Sequence, residues 1–398
     1  MVTHWLWLVN LQGITPRQKM ELLKKFPDAE DLYDSEFADG DPNYPPAVIQ
    51  ALNDKDLTRA HALWLQCKEQ NIRIVTYQDA GYPGQLRNID DPPLVLYYKG
   101  NLPDFEAQPV IGVVGTRRAT AAGKSNARDL SREIAAGGAL VISGGAAGID
   151  TEAHKGALEA DAPTVAVLGG GVDVVFPASN RRLFQKIEET GCLLSEYPPG
   201  TSPMPWHFPE RNRIISGLSN GILVVEAPEK SGALITARTA MEQGRDVFVV
   251  PGSINNSVCA GSNALLRDGA AAVLDGWDIL KDYQTQFPDI KQRQPVSQMP
   301  DFKQSFWLAD KPALLASDKI SVDNSAHSAY SDQSGVAGQT DSLSQRILDL
   351  LSVEPVPVDD VIAQMQAPAA EVLSALTKMA LLGKVLNHPG RMVSLKRK

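Results

Sequence analysis

Between positions 109 and 280 the chain alternates short, almost wholly apolar runs with glycine-rich turns and helical stretches. The runs are Val110–Val114, Ala139–Ile142, Thr164–Leu168, Cys192–Ser195, Gly221–Glu226 and Asp246–Val250. An apolar run with no polar alternation is a strand covered on both faces, and a helix between each pair makes the strands parallel. The pattern predicts a doubly wound, Rossmann-like parallel sheet. In such sheets ligands lie beyond the carboxyl ends of the strands. The glycine turns all fall at those ends, so they should converge on one crevice.

The flanking segments follow other periods. Residues 1–71 read as short amphipathic helices, a SAM-like unit, with Pro16 placed to open a helix over Gln18–Phe26. The turn Leu11–Pro16 has the look of a helix-hairpin-helix, but Thr15 stands where its second glycine would be. That argues for a structural cap over a phosphate-binding turn. Residues 72–100 carry short strands leading into the central domain, which is expected to occupy 72–280. Residues 281–340, rich in Gln, Ser, Asp and Pro and without periodicity, predict a flexible linker. Beyond it, helical stretches at Ser344–Leu351, Val358–Met365 and Ala369–Leu382 precede a hairpin around Pro389-Gly390, a winged-helix pattern over 341–398. Its third helix has one acid and one base, which suits a protein contact better than duplex reading.

Composition narrows the class. Three scattered cysteines, Cys67, Cys192 and Cys259, form no CxxC, so neither a disulfide framework nor a zinc site is expected. No apolar run is long enough to span a bilayer, and the opening residues lack a basic leader and a small-residue cleavage site, so a cytoplasmic protein is expected. The net charge of −9 speaks against nucleic acid at first sight. Its distribution is uneven: residues 1–108 hold 10 basic and 16 acidic side chains, residues 109–280 hold 15 and 18. Affinity for a polyanion must therefore come from a local basic cleft.

The turns carry the chemistry. Arg118–Ser125 ends in Gly-Lys-Ser like a P-loop, yet Arg118 replaces the first glycine needed to wrap amides round phosphates. A GxGxxG with a distal acid is absent, as is PGGxGTxxE. What stands there is Gly115-Thr116-Arg117 after the first strand, a close backbone approach followed by a forked cation. Ser143-Gly144-Gly145 repeats the device after the second strand, and Asn180-Arg181 follows the third. Phe208-Pro209-Glu210-Arg211-Asn212-Arg213 sets two arginines beside an aromatic, and Ser231-Gly232 opens a later helix. Phosphate contacts beside a stacking ring suit a single strand of nucleic acid. The plainer readings are that these glycines are ordinary turns, that Asp150 is a helix cap, and that His154 is a buried polar group. No nucleophile–base constellation or metal spacing is legible, so no catalytic residue and no cofactor is expected.

The ordered blocks GTR, SGGAAGID, FPERNRIISGLS, SGALITA and GSNALLRDGA resemble the DprA (Smf) family of bacterial DNA-processing proteins over roughly residues 72–280. The resemblance implies a protein that binds single-stranded DNA without catalysis, protects it during natural transformation, helps load RecA, and forms a homodimer. Ala147 departs from the larger or basic residue expected there. On this resemblance the DNA contacts are expected at the turn residues named above. The dimer face is expected on Leu265, Leu266 and Val273 at the last sheet edge. The alternative is a nucleotide-binding or nucleotide-processing enzyme on the same fold.

Overall fold

The computed structural model describes residues 1–291, residue 27 excepted, and most of 345–395. The chain divides into two compact units, 1–300 and 301–398.

The first unit is built on a nine-stranded sheet of β1 (Arg73–Thr76), β2 (Val95–Gly100), β3 (Val110–Val114), β4 (Leu140–Ser143), β5 (Thr164–Val167), β6 (Cys192–Ser195), β7 (Gly221–Val224), β8 (Asp246–Val249) and β9 (Ala271–Ala272). Its order is β1-β2-β6-β5-β4-β3-β7-β8-β9. From β6 to β9 every pairing is parallel. The six apolar runs are thus strands, as their pattern predicts. Alternation decides which residue goes where. Val110 and Val114 pack with Ile214, Ile215 and Ala237 on one face, while Ile111 and Val113 pack with Leu130, Ile134 and Ile149 on the other.

The order reverses at β3: β4, β5 and β6 follow on one side, and β7, β8 and β9 on the other. Successive loops leaving β3 and β7 therefore part in opposite directions and leave a crevice at their carboxyl ends.

The expected boundary at 71 is not a break in packing. Trp5, Leu6, Leu22, Leu52 and Leu63 of the N-terminal helices share one core with Tyr97, Ala166 and Leu193 of the sheet. β2 pairs antiparallel with β6, Tyr97 opposite Ser195, and so joins the helical segment to the parallel sheet. The turn at Thr15 is explained too. Thr15 Oγ1 accepts from Gln18 N at 3.3 Å and Gln18 Oε1 accepts from Thr15 N at 2.9 Å. This capping box satisfies the helix start from within.

Two expectations are corrected here. Residues 281–291 belong to the fold, because Tyr283, Phe287 and Ile290 are buried in the sheet's core and Tyr283 Oη donates to Asp246 at 2.7 Å. The remainder of the expected linker, 292–340, lies outside the described residues. Two of the three expected dimer residues are also displaced, Leu265 at 7% and Val273 at 1% exposure, both in the core, while Leu266 packs against it half-buried. Leu265, on helix Ala260–Arg267, and Val273, just after β9, turn inward to cover the sheet. The residues that do face outward near this edge are Ala271 and Ala272 of β9, with Ile254 at 92% and Leu274 at 82% exposure.

In the second unit, strands Val356–Pro357 and Val385–His388 flank Met392–Leu395. Helix Val358–Met365 packs Val361 and Met365 on Ile347, Val372, Leu376 and Val393. The expected helix 369–382 lies only partly within the described residues, and the Pro389-Gly390 turn lies outside them.

Candidate nucleic-acid interface

A cleft of about 590 Å³ opens at the point where the strand order reverses. One wall is the turn after β3, Gly115, Thr116, Arg117 and Arg118; the other is Pro228, Lys230, Ser231 and Gly232 after β7. Phe176, Pro203, Pro205, Phe208 and Asn212 close its side, and Asp150 and Arg211 lie at its floor.

Arg117 is exposed, and among the described residues it has no carboxylate partner within ion-pair distance. Its guanidinium lies 4.5 Å from the centroid of Phe208, whose ring is 5.8 Å from that of Phe176. A cation held on an aromatic face gains about 0.5–1 kcal/mol at an exposed site. The stacking fixes its plane while leaving its N–H fork free to meet an anion. Phe176, 45% exposed, carries the apolar surface outward to the rim. Helix Gly232–Glu242 begins in the cleft, where a side chain on Gly232 would meet nothing. The positive end of its dipole adds to Arg117, Arg118 and Lys230.

The neighbouring helix, Ala121–Ala136, offers no such end. Glu226, buried beyond β7, accepts from Thr120 N at 2.9 Å and from Thr120 Oγ1 at 2.6 Å, and it fills the space beside Gly123. In a P-loop the nucleotide's phosphates occupy that position. Here a carboxylate of the protein occupies it, and its charge would repel a phosphate.

The floor holds two buried groups of opposite charge, Arg211 and Asp150. Arg211 Nη1 donates to Val167 O at 2.6 Å. Burial pushes its guanidinium down to about 10, with Asp150 opposing that fall. Burial pushes the Asp150 carboxyl up to about 6, while Arg211 and the Ala146 amide hold it down. His154 is buried, its Nδ1 2.8 Å from Thr164 Oγ1, and burial and Arg211 together push it down to about 3. It is a neutral structural group.

The sequence-predicted residues therefore separate. Gly115, Thr116, Arg117, Phe208, Arg211, Asn212, Ser231 and Gly232 line the cleft. Ser143 is buried and donates to Val113 O at 2.6 Å. Gly144 leaves room for Arg211, and Gly145, at φ +65°, packs under Phe184. Asn180 is buried and braces Gly145 O at 3.0 Å and Thr151 Oγ1 at 2.8 Å. Arg181 is exposed at the start of helix Arg181–Thr190, off the cleft lining. Arg213 points away: its Nη2 meets both Glu196 oxygens at 2.8 and 2.7 Å, and its Nε meets Asp91 at 3.2 Å. These six positions shape the cleft or its surroundings without lining it. Sequence reasoning passed over Arg118, Phe176 and Lys230, whose only signal was a basic or aromatic residue adjoining a glycine turn.

A Rossmann-like domain with a cationic, aromatic-walled cleft at its switch point has the architecture of an anion-binding α/β protein. Comparison with known proteins narrows the class. Residues 73–284 match the family model of DNA recombination-mediator protein A, and residues 332–391 match the DprA winged helix domain. The chain belongs to the DprA (Smf) family of DNA-processing proteins. It is 37% identical to Protein Smf of Synechocystis sp. over 328 residues, 81% of this chain and 80% of that protein. It is 43% identical to DNA processing protein DprA of Bacillus subtilis over 215 residues, 54% of this chain and 72% of that protein. The X-ray structure of DprA from Streptococcus pneumoniae aligns with a TM-score of 0.62 at 36% identity, covering 71% of this chain and 98% of that one. Among the described residues no helix is long and apolar enough to cross a membrane.

Proposed function

We propose that this protein binds single-stranded DNA in the cleft, with phosphates on Arg117, Arg118 and Lys230 and bases against Phe208 and Phe176. The observation that carries the reading is Arg117 laid on Phe208, an anion-binding fork and a stacking ring in one unit. Duplex DNA keeps its bases stacked on each other, so it can use the cations but not the rings. A mononucleotide-processing enzyme is disfavoured because Glu226 fills the helix end a triphosphate would need. In this reading the protein is a cytoplasmic binding protein, not an enzyme. It guards incoming DNA in natural transformation and helps load RecA on it.

It acts as a homodimer in the same reading. The short exposed strand β9, with Ile254 and Leu274 outward, is an open sheet edge that a second copy would cover. Leu274→Glu should give a folded monomer by light scattering, and an unchanged dimer would place the contact elsewhere.

Salt-titrated binding of oligo-dT, duplex and dTMP tests the main reading. Oligo-dT should bind tightest and weaken steeply with salt as counterions are released. Equal affinity for duplex, or full competition by dTMP, would overturn it. RecA nucleation on strands coated with single-strand-binding protein should quicken when the protein is added, and no change would remove the loading role.

A further inference from the structure

The cleft leaves one exposed aromatic unused. Between β6 and helix His207–Leu218 the chain runs Tyr197-Pro198-Pro199-Gly200-Thr201-Ser202-Pro203-Met204-Pro205-Trp206, with Trp206 57% exposed and Met204 37%. An exposed tryptophan on a mobile loop would mean little, but this loop is tied down. Gly171 N donates to Thr201 O at 2.9 Å, and Gly200 N donates to Asp173 at 2.9 Å. His207 places Nδ1 3.0 Å from Gly169 O and stacks on Tyr197 with centroids 4.1 Å apart. Four prolines restrict what backbone freedom is left. Pro203 and Pro205, on either side of Met204, line the cleft, so Trp206 stands one residue beyond its wall. His207 supports it edge-on at 5.9 Å.

We propose that Trp206 is a second base-stacking station, outside the cleft on its rim, for a nucleobase of the strand whose phosphates lie on Arg117. The occupant follows from continuity: a chain leaving the cleft past Pro205 passes this ring, and a nucleobase is the flat apolar group such a chain carries. Two stations on a rigid wall hold the strand unstacked between them, which favours single strands over duplex beyond what charge alone provides. The larger purine face stacks better, so the station favours dA over dT. The inference rests on the reading of the cleft given above.

The test compares oligo-dA with an abasic strand of equal length, using the full chain. Trp206→Ala should bind oligo-dA about tenfold more weakly, the order expected for one stacked base, and the abasic strand as before. Trp206→Phe should recover most of the loss. Because other tryptophans are present, the emission difference between the native protein and Trp206→Phe isolates this residue. Oligo-dA should quench that difference and the abasic strand should not. If Trp206→Ala binds oligo-dA like the native protein while Arg117→Ala does not, the rim station falls and the cleft stands. If the native protein prefers oligo-dA over neither duplex nor mononucleotide, both fall together.

Discussion

Arg213→Ala tests whether Arg213 is a structural arginine and not a phosphate contact of the kind proposed for Arg117. The guanidinium joins the middle of helix His207–Leu218 to Glu196, just after β6, and to Asp91, before β2. Burial pushes the Glu196 carboxyl above its ordinary range, and Arg213 is the main force opposing that shift. Removing the arginine leaves this carboxylate without its cation. Breaking a buried pair in this way costs about 3–5 kcal/mol. The Glu196 side chain keeps 29% of its exposure and Arg213 17%, so screening places the loss near the lower end, about 3 kcal/mol. The sign with pH follows from linkage. A carboxyl whose folded pKa is raised adds stability at low pH and loses it as pH rises through that value. Without Arg213 the value rises further, so the defect should be largest at neutral pH and shrink towards the ordinary carboxylate range. Urea unfolding at several pH values measures this, and Glu196→Gln combined with Arg213→Met should recover much of the stability. Single-stranded DNA affinity of the folded variant should stay within about twofold of the native value, far less than the roughly tenfold or greater loss of a charge-assisted phosphate contact. A variant of native stability that binds DNA poorly would refute the assignment.

Arg117→Ala should do the reverse, weakening oligo-dT binding by about tenfold or more through loss of a charge-assisted contact while leaving the melting temperature unchanged. Asp150, pushed up to about 6, should lose its negative charge as pH falls through that value. Binding should therefore tighten on acidification, and Asp150→Asn should flatten the profile measured by fluorescence anisotropy; an unaltered profile would clear Asp150. A chain ending at Lys291 should fold and bind. One ending at Leu280 loses buried Tyr283, Phe287 and Ile290 and should be less stable by roughly 5 kcal/mol on calorimetry, given about 1.5–3 kcal/mol per large buried side chain.

Much of the fold was already present in the one-dimensional pattern. Val110–Val114 and Gly221–Val224 are legible because a strand covered on both faces needs apolar residues at every position, and glycine marks the turns at their ends. The same local information brought Gly115–Arg117, Phe208 and Ser231-Gly232 to one crevice, since the ends of parallel strands share one edge of the sheet. Distant partners are another matter. That Glu226 would close the helix end at Thr120, 106 residues earlier, depends on β3 and β7 lying side by side. That β2 would add antiparallel to β6, and that Tyr283, Phe287 and Ile290 would finish the core, depends on which surfaces the sheet leaves uncovered. The motif Arg211-Asn212-Arg213 shows the limit most directly. Its two arginines are chemically identical and adjacent in the motif, but a helix turns about 100° per residue, so side chains two apart face different ways. One donates to Val167 O at the floor of the cleft, with Asp150 nearby, and the other meets Glu196 and Asp91 behind it. The sequence alone determined that this helix would carry two cations beside an aromatic ring; the packing of the helix against the sheet decided that one is buried beneath the cleft and the other is tied to carboxylates behind it.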